Sequence, residues 1–480
     1  MKRTYGSSLL SLAVLVAGCP TPPRPMEDAA PQRDATPTPT DVAEDVAPQP
    51  QPDASSDGGT RRPREVIDPT CAPLRPTIGA GVGNDVDRCE GVTPPANGSG
   101  ATFCSLGADV PGLRVPEGFC IRRYATVGLP RVMLFAPNGD LFISSPSAIT
   151  AAGDGGGMGA ILVLSDDNRD GTAEVHTFAT GGLDTVHGLT FKDGFLYFNT
   201  TDTVFRTPYA RGQRVETMGA RQVVVGGAGT AIGTQFQRGG RWTHGLATSV
   251  NGRMLATRGE YGSCSVAPDG RPASAAGEIY EVGMGVLTQV GGGFRNPMYA
   301  RCHYCRDLCM VAELGEDQTM GAVETLVVVD NNHWNGYPCC FQNNTGPRAS
   351  TGLCRCINQQ QVKINLGDTP FGFDWERGSW PAPYRNGVFV ALHGSFYTQT
   401  MTEPRVANYE GAGVVYLPTD PATGIPQAGT PVRFIEGTEA TAQVSLRRPS
   451  DVMFSPDGRL FVTDDKGGGV YWVAPMDRRM

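Results

Sequence analysis

Six stretches of this chain repeat one arrangement: an apolar strand, a turn, and a second strand that ends in a polar group. They are LPRVMLFAPNGDLFISSP from residue 129, VHGLTFKDGFLYFNTTD from 186, THGLATSVNGRMLATRGE from 243, FRNPMYARCHYCRDLCMVAELGE from 294, TPFGFDWERGSWPAPYRNGVFVALHGS from 369 and RRPSDVMFSPDGRLFVTDD from 447. Successive copies start about 51 to 78 residues apart, enough for a four-stranded antiparallel sheet with its loops. Self-similarity at such a period marks a radial or solenoidal array. Six sheets around an axis close into a ring that leaves few strand edges exposed. The expectation is therefore an all-β chain, a six-bladed β-propeller of four-stranded antiparallel sheets. A β-sandwich with chance hairpin similarity would not place polar residues at one point of every hairpin. In a propeller the innermost strands line a central channel, so the residues just before them meet at one funnel: His187, His244, Arg295 with Asn296, Pro370 and Arg448.

The rest of the chain agrees with an all-β core. No apolar pattern of period 3.6 is sustained, whereas short β-branched and aromatic runs bounded by Gly, Pro, Asn and Asp recur. Glycine, 63 of 480 residues, is about twice its usual share. The N-terminal end is different. Lys2, Arg3, the apolar run from Leu9 to Val16 and the sequence VAGC resemble a bacterial lipoprotein signal, with Cys19 lipidated after cleavage. That apolar run is too short to span a bilayer. Residues 20 to 68 read as a Pro/Ala/Asp-rich tether that cannot bury enough apolar surface to order itself. A Cys-containing extension over 69–118 and a propeller over 119–476, with a disulfide-rich insertion near 302–356, complete the expected organisation.

Charge and cysteines narrow the function. Residues 20–60 hold eight acidic and two basic residues, so the tether carries most of the overall charge of −8 and the folded part is nearly neutral. A near-neutral domain argues against nucleic acid as a partner. Besides Cys19 there are twelve cysteines, an even number suited to disulfides in an exported, envelope-anchored protein whose only membrane contact is its lipid. Cys302, Cys305 and Cys309 have spacing that zinc could also use, although an oxidising compartment favours disulfides. The adjacent Cys339 and Cys340 are expected to bond different partners.

Four segments, GGFRNPMYA (292–300), NNHWNGYPCC (331–340), YRNGVFVALHGSFY (384–397) and RRPSDVMFSPDGRLFVTDDKGGGVY (447–471), stand in an order that resembles the glucose/sorbosone dehydrogenase family. Members of that family are six-bladed propellers that use pyrroloquinoline quinone (PQQ) with calcium. The resemblance spans about residues 115 to 475. It implies a dehydrogenase acting on a sugar or related polyol or aldehyde, with electrons passed to an exported acceptor. PQQ is a planar ortho-quinone with three carboxylates, so its site needs guanidinium or ammonium groups. The resemblance puts Arg295 and Asn296 against the cofactor, Arg448 at its carboxylates or quinone edge, and His393 where relatives carry a basic residue in the fifth blade. No lysine lies near His393.

A general base must also accept the substrate's hydroxyl proton, and histidine suits neutral pH. Relatives place it a few residues ahead of the third inner strand. Here that position is Arg241, and His244 follows three residues later, with His187 in the same slot one blade earlier. His244, His187 and the absence of a working base all stay open. A propeller that binds carbohydrate or a cell-surface protein without turnover is the alternative. Separately, DDNRDGTAE places Asp166, Asn168, Asp170 and Glu174 at alternating positions around Gly171, a short pattern that could wrap oxygen ligands about structural Ca²⁺. A plain turn is the other reading of that loop. His333 and Trp334 are expected to shape a tight turn.

Overall fold

The computed structural model describes residues 103–106, 110–147, 157–237, 243–259, 277–315, 323–329, 333–340, 346, 354, 361–364, 369–394, 412–437 and 448–476. The lipidation site Cys19, the tether and most of the N-terminal extension lie outside them. Among the described residues no helix is long and apolar enough to cross a membrane.

Six antiparallel sheets form the blades of a β-propeller. Their innermost strands are Met133–Phe135 (blade I), Leu189–Lys192 (II), Leu246–Thr248 (III), Asn296–Cys302 (IV), Pro370–Trp375 (V) and Pro449–Phe454 (VI). Each begins within a few residues of the start of one sequence copy. In blades I to V the four strands run in chain order, interrupted only in blade IV, where His333–Trp334 of blade III precedes the last strand. Blade VI departs from that order: its outermost strand is Phe119–Thr126, which pairs antiparallel with Gly469–Pro475, Ile121 opposite Val473. The two ends of the ring are thus joined by a ladder between its first and last strands. A disulfide from Cys104 to Cys120 and hydrogen bonds from Arg122 to the carbonyls of Leu106 and Cys104 fasten the preceding segment to that closing strand.

The recurring polar group at the end of each second strand has a structural task. Ser144 Oγ accepts the N–H of Val132, Asn199 Oδ1 that of Gly188, and Thr257 Oγ1 that of Gly245, at 3.0, 2.7 and 2.7 Å. Glu313 accepts those of Arg295 and Asn296, and Thr463 that of Asp451. In five blades a side chain returning to the channel mouth thereby satisfies the backbone where the inner strand begins, a group that no strand pairing reaches. The choice of Ser, Asn, Thr or Glu matters less than the presence of a short acceptor.

Glycines let the inner strands converge. A Cβ on Gly188 would lie 2.5 Å from the Leu246 Cβ, and one on Gly245 would lie 2.5 Å from the Ala300 nitrogen and 3.0 Å from the Tyr299 carbonyl carbon. Gly372 stands in the same way against Asp451. Each faces the next part of the ring, mostly across backbone that cannot give. Gly245→Ala is therefore expected to destabilise the protein by roughly 2 kcal/mol or more, because overpacking forces the blades apart. Thermal unfolding of that variant, with Gly429→Ala, where an added Cβ meets nothing within 4 Å, as the comparison, measures the difference.

Between blades the faces are apolar. Blades V and VI bury Phe389, Trp380, Phe434 and Phe454 with Phe119 of the closing strand, rings meeting edge to face or tilted at centroid distances near 5 Å. Two blades carry additions. Leu113–Arg114 adds a fifth strand to blade V. His333–Trp334, expected as a tight turn, instead forms a short strand parallel to the outer strand of blade III, opposite Gly291 and Gly292. The glycine run there lets the Trp334 ring lie directly on the backbone, where a side chain at Gly293 would collide with it.

The cysteine-rich stretch is largely blade IV itself, since Cys309–Leu314 and Glu324–Val328 are its second and third strands. Cys302 and Cys309 are joined across their hairpin, Cys305 is also disulfide-bonded, and Cys340 pairs with Cys354. The zinc reading of the 302–309 cluster is therefore overturned: oxidised sulfurs cannot serve as thiolate ligands. Cys339 is disulfide-bonded too, so the adjacent pair does take separate partners.

Candidate functional site

The mouth of the channel, where the inner strands begin, gathers polar side chains from most of the ring. Arg131 precedes the blade I strand, in the slot that His187 holds in blade II and His244 in blade III. Its Nη1 forms a buried ion pair with Asp465 Oδ2 at 2.9 Å. Asp465 follows the second strand of blade VI and also meets His393 Nε2 at 2.9 Å. Arg448, before the blade VI inner strand, donates from Nη2 to His393 Nδ1 at 2.9 Å. A guanidinium has only donors, so Nδ1 is the acceptor and the ring proton sits on Nε2, which donates to Asp465. The order across the mouth is Arg131, Asp465, His393, Arg448.

Aromatic rings fix this row from beneath. His393 lies flat on Phe371, ring centroids 3.8 Å apart and planes 9° apart. The Arg131 guanidinium stands 5.6 Å over the same Phe371 ring. Phe371 contacts Tyr299, and Tyr299 meets the edge of His187 at 5.1 Å. The Arg131 carbonyl, meanwhile, is surrounded by the hydroxyls of Thr463, Ser450 and Tyr299 at 3.2, 3.3 and 3.4 Å.

Burial and charge set the protonation states. His393 is 2 % exposed, and burial pushes its pKa down to about 3; Asp465 opposes the shift and Arg448 adds to it. His187 is fully buried and is likewise pushed down to about 3, by burial first and Arg131 second. Both rings are neutral at pH 7. Burial alone would raise Asp465, but Arg131, His393 and Arg448 together outweigh it and bring the carboxyl down to about 2. The row therefore holds two guanidinium cations against one carboxylate.

Of the two candidate bases, His187 donates from Nδ1 to the carbonyl of His244 at 3.2 Å. His244 is fully buried as well, and the Phe236 ring of the short helix Ala231–Gln237 stands edge-on against it at 4.3 Å. Arg295 and Asn296 open the blade IV inner strand, both 6 % exposed. Asn296 Oδ1 is buried with no hydrogen-bond partner among the described residues. Pro370 opens the blade V strand and carries no polar side chain.

A buried ion pair crosses between inner strands nearby. Arg301, on the inner strand of blade IV, reaches across to blade VI, donating to the Val452 carbonyl and, through Nη2, to both oxygens of Asp451 at 2.9 and 3.1 Å. Asp451 Oδ2 also accepts the Met133 N–H of blade I. Tyr299, Arg301 and Asp451 are all buried here, linking the inner strands of blades IV, VI and I.

The loop of Asp166, Asn168, Asp170 and Glu174 lies on blade I, away from this row. Asp166 accepts the N–H groups of Asp170 and Gly171, Asn168 Oδ1 accepts that of Asp170, and Asp170 accepts that of Thr172. Glu174 begins the outer strand and is exposed. No group of three or more His, Cys, Asp or Glu side chains among the described residues is arranged to hold a metal ion.

Arg131 and Asp465 were not singled out from sequence. A signal for each exists: Arg131 occupies the pre-strand slot of the first copy, and Asp465 is the second aspartate that ends the sixth.

Comparison with known proteins shows the fold's relatives. No family model matches the chain, and no curated protein matches it. Among solved structures, the carbohydrate-active enzyme of family AA12 from Trichoderma reesei is 16% identical, with a TM-score of 0.56, covering 77% of this chain and 99% of that one. The PQQ domain of pyranose dehydrogenase from Coprinopsis cinerea, in its holo form, is 14% identical with a TM-score of 0.53, covering 76% of this chain and all of that one. At these identities the shared property is the fold.

Proposed function

We propose that this protein is a PQQ-dependent oxidoreductase that oxidises a sugar, or a related polyol or aldehyde, at the mouth of the propeller. The observation that carries the reading is the row of two guanidinium cations and one carboxylate gathered where the inner strands begin, in a fold shared with a pyranose dehydrogenase PQQ domain. The residues present fit such a cofactor. Two guanidinium groups against one carboxylate leave net positive charge for an anionic ligand, and the buried Asn296 Oδ1 is an acceptor that a ligand N–H would satisfy. Calcium finds no comparable set of side chains among the described residues, and no step is assigned to it.

When bound, PQQ would supply an electrophilic quinone that accepts a hydride from the substrate carbon. Arg448 and Arg295 would hold its carboxylates, and Asn296 its edge. His244 is the better candidate for the base. His187 is held near pKa 3 beneath Tyr299 with its Nδ1–H on a backbone carbonyl, too weak a base to accept a hydroxyl proton near pH 7. Disulfides suit export, and lipidation at Cys19 would hold the enzyme at the envelope, within reach of an exported electron acceptor.

Titrating the purified protein with PQQ and following dye reduction with a panel of aldoses tests the reading. Micromolar binding with turnover is expected, and His244→Ala should lower kcat by about 10²-fold or more, the contribution usual for a general base. No binding ends the proposal. Binding without turnover of any sugar supports a propeller that only binds.

A further inference from the structure

His393 is held on three sides. Phe371 fixes the plane of the ring, Asp465 takes the Nε2 proton, and Arg448 donates to the Nδ1 lone pair. Asp465 is in turn held by Arg131 from the far side of the mouth and by its own N–H to the Arg448 carbonyl at 3.2 Å. The neighbouring Asp464 has a different task, accepting the N–H groups of Arg448 and Gly467 to close the turn.

The consequence is directional. An imidazole with its proton on Nδ1, or on both nitrogens, would present a donor to Arg448, and two donors cannot bond. Arg448 would then have to swing off the ring. Only the Nε2–H form leaves Nδ1 as an acceptor that draws one Arg448 nitrogen toward the channel axis. Arg448 is half-buried, and its Nη2 also lies 3.5 Å from the Gly394 carbonyl, so these contacts hold the guanidinium beside the ring. Asp465 selects that form because a carboxylate 2.9 Å from Nε2 accepts and cannot donate.

We propose that Asp465, held by Arg131, is a positioning residue: it fixes His393 as the Nε2–H tautomer and thereby aims Arg448 at an anionic ligand in the channel mouth. This deepens the PQQ reading and rests on it only for the identity of the ligand. The same logic assigns Arg131 to holding the carboxylate, with its charge committed inside the protein.

The test has two arms. Long-range proton–nitrogen correlation on the histidine-labelled, cofactor-free protein reads the tautomer directly. In the wild-type protein His393 is expected to carry its proton on Nε2 at pH 7. In Asp465→Asn, whose amide can accept or donate, a mixture of the two tautomers is expected. PQQ titration should then show affinity lowered by about tenfold or more, the loss usual when the partner behind a ligand-contacting group is removed. An Nδ1–H or doubly protonated His393 in the wild-type protein overturns the proposal without any variant. So does a variant whose tautomer changes while affinity does not, or whose affinity falls while the tautomer stays fixed. Should the wild-type protein fail to bind PQQ, the proposed function fails, and the tautomer arm alone decides this inference.

Discussion

Between pH 6.5 and pH 4 the propeller is expected to lose about 4 kcal/mol of stability, a large part of the margin of a typical domain. The cause is the pair of neutral, buried rings. His187 and His393 both titrate near 3 when folded, against an ordinary value of 6.5. Below pH 6.5 the unfolded chain binds two protons that the folded chain refuses. Their contribution is thus complete above 6.5 and is lost as pH falls toward 3. At about 1.4 kcal/mol per unit and per group, this removes roughly 6 kcal/mol by pH 4.

One group acts in the opposite direction. Burial pushes Asp451 up to about 6 in spite of Arg301, so between pH 6 and its ordinary 3.8 the folded state gains a proton first and recovers about 2 kcal/mol. Asp465, brought down to about 2, contributes stability that is present above 3.8 and is lost only below that. Urea unfolding at pH 6.5, 5 and 4 measures the sum. A second series on His393→Gln, which keeps a donor for Asp465 and an acceptor for Arg448 but does not titrate, should remove about half of the histidine contribution. Stability that is flat or rises over that interval would show that the rings are protonated or hydrated when folded.

The sequence exposed the ring more readily than the site because the two are encoded differently. Blade positions rest on alternating apolar strands about a turn, and every copy carries that pattern locally. The inner strands consequently begin where LPRVML, VHGLTF or RRPSDVMF begins. The closing strand is not local: Phe119–Thr126 pairs with residues some 350 positions later, and nothing in FCIRRYAT names its partner. The polar residues of the hairpins were legible as a recurrence, yet their meaning was not. Asn199, Thr257 and Thr463 serve backbone N–H groups, whereas Asp465, one residue beyond a strand end, faces the mouth. A shift of one residue separates a structural acceptor from a member of the candidate site, and only the folded geometry distinguishes them. His187 and His244 illustrate the same limit, since a pre-strand histidine reads alike whether it reaches solvent or is fully enclosed.

Arg301→Met is expected to cost about 3 to 5 kcal/mol at pH 8, the penalty for removing one partner of a buried ion pair. Arg301 is the single described cation bonded to Asp451, and Asp374 lies 3.9 Å from its other nitrogen. The aspartates also hold the frame: Asp451 accepts the Met133 N–H of blade I and the Val452 N–H, and Asp374 of blade V accepts the Phe454 N–H of blade VI. Loss of Arg301 therefore leaves a carboxylate that cannot be moved to water without breaking those contacts. The chain's remaining option is to protonate it. Asp451 is already raised to about 6, and without the guanidinium it rises further, so the folded state holds a proton that the unfolded state releases above 3.8. The penalty must therefore grow with pH and shrink toward pH 5, where Asp451 is protonated in both proteins. Replacing both residues, as Arg301→Met with Asp451→Asn, should cost less than the two single changes added together, by more than about 1 kcal/mol. Additive losses, or a penalty that does not change between pH 8 and pH 5, would mean that Arg301 acts through packing alone and that the axis of the propeller is held by shape rather than by charge.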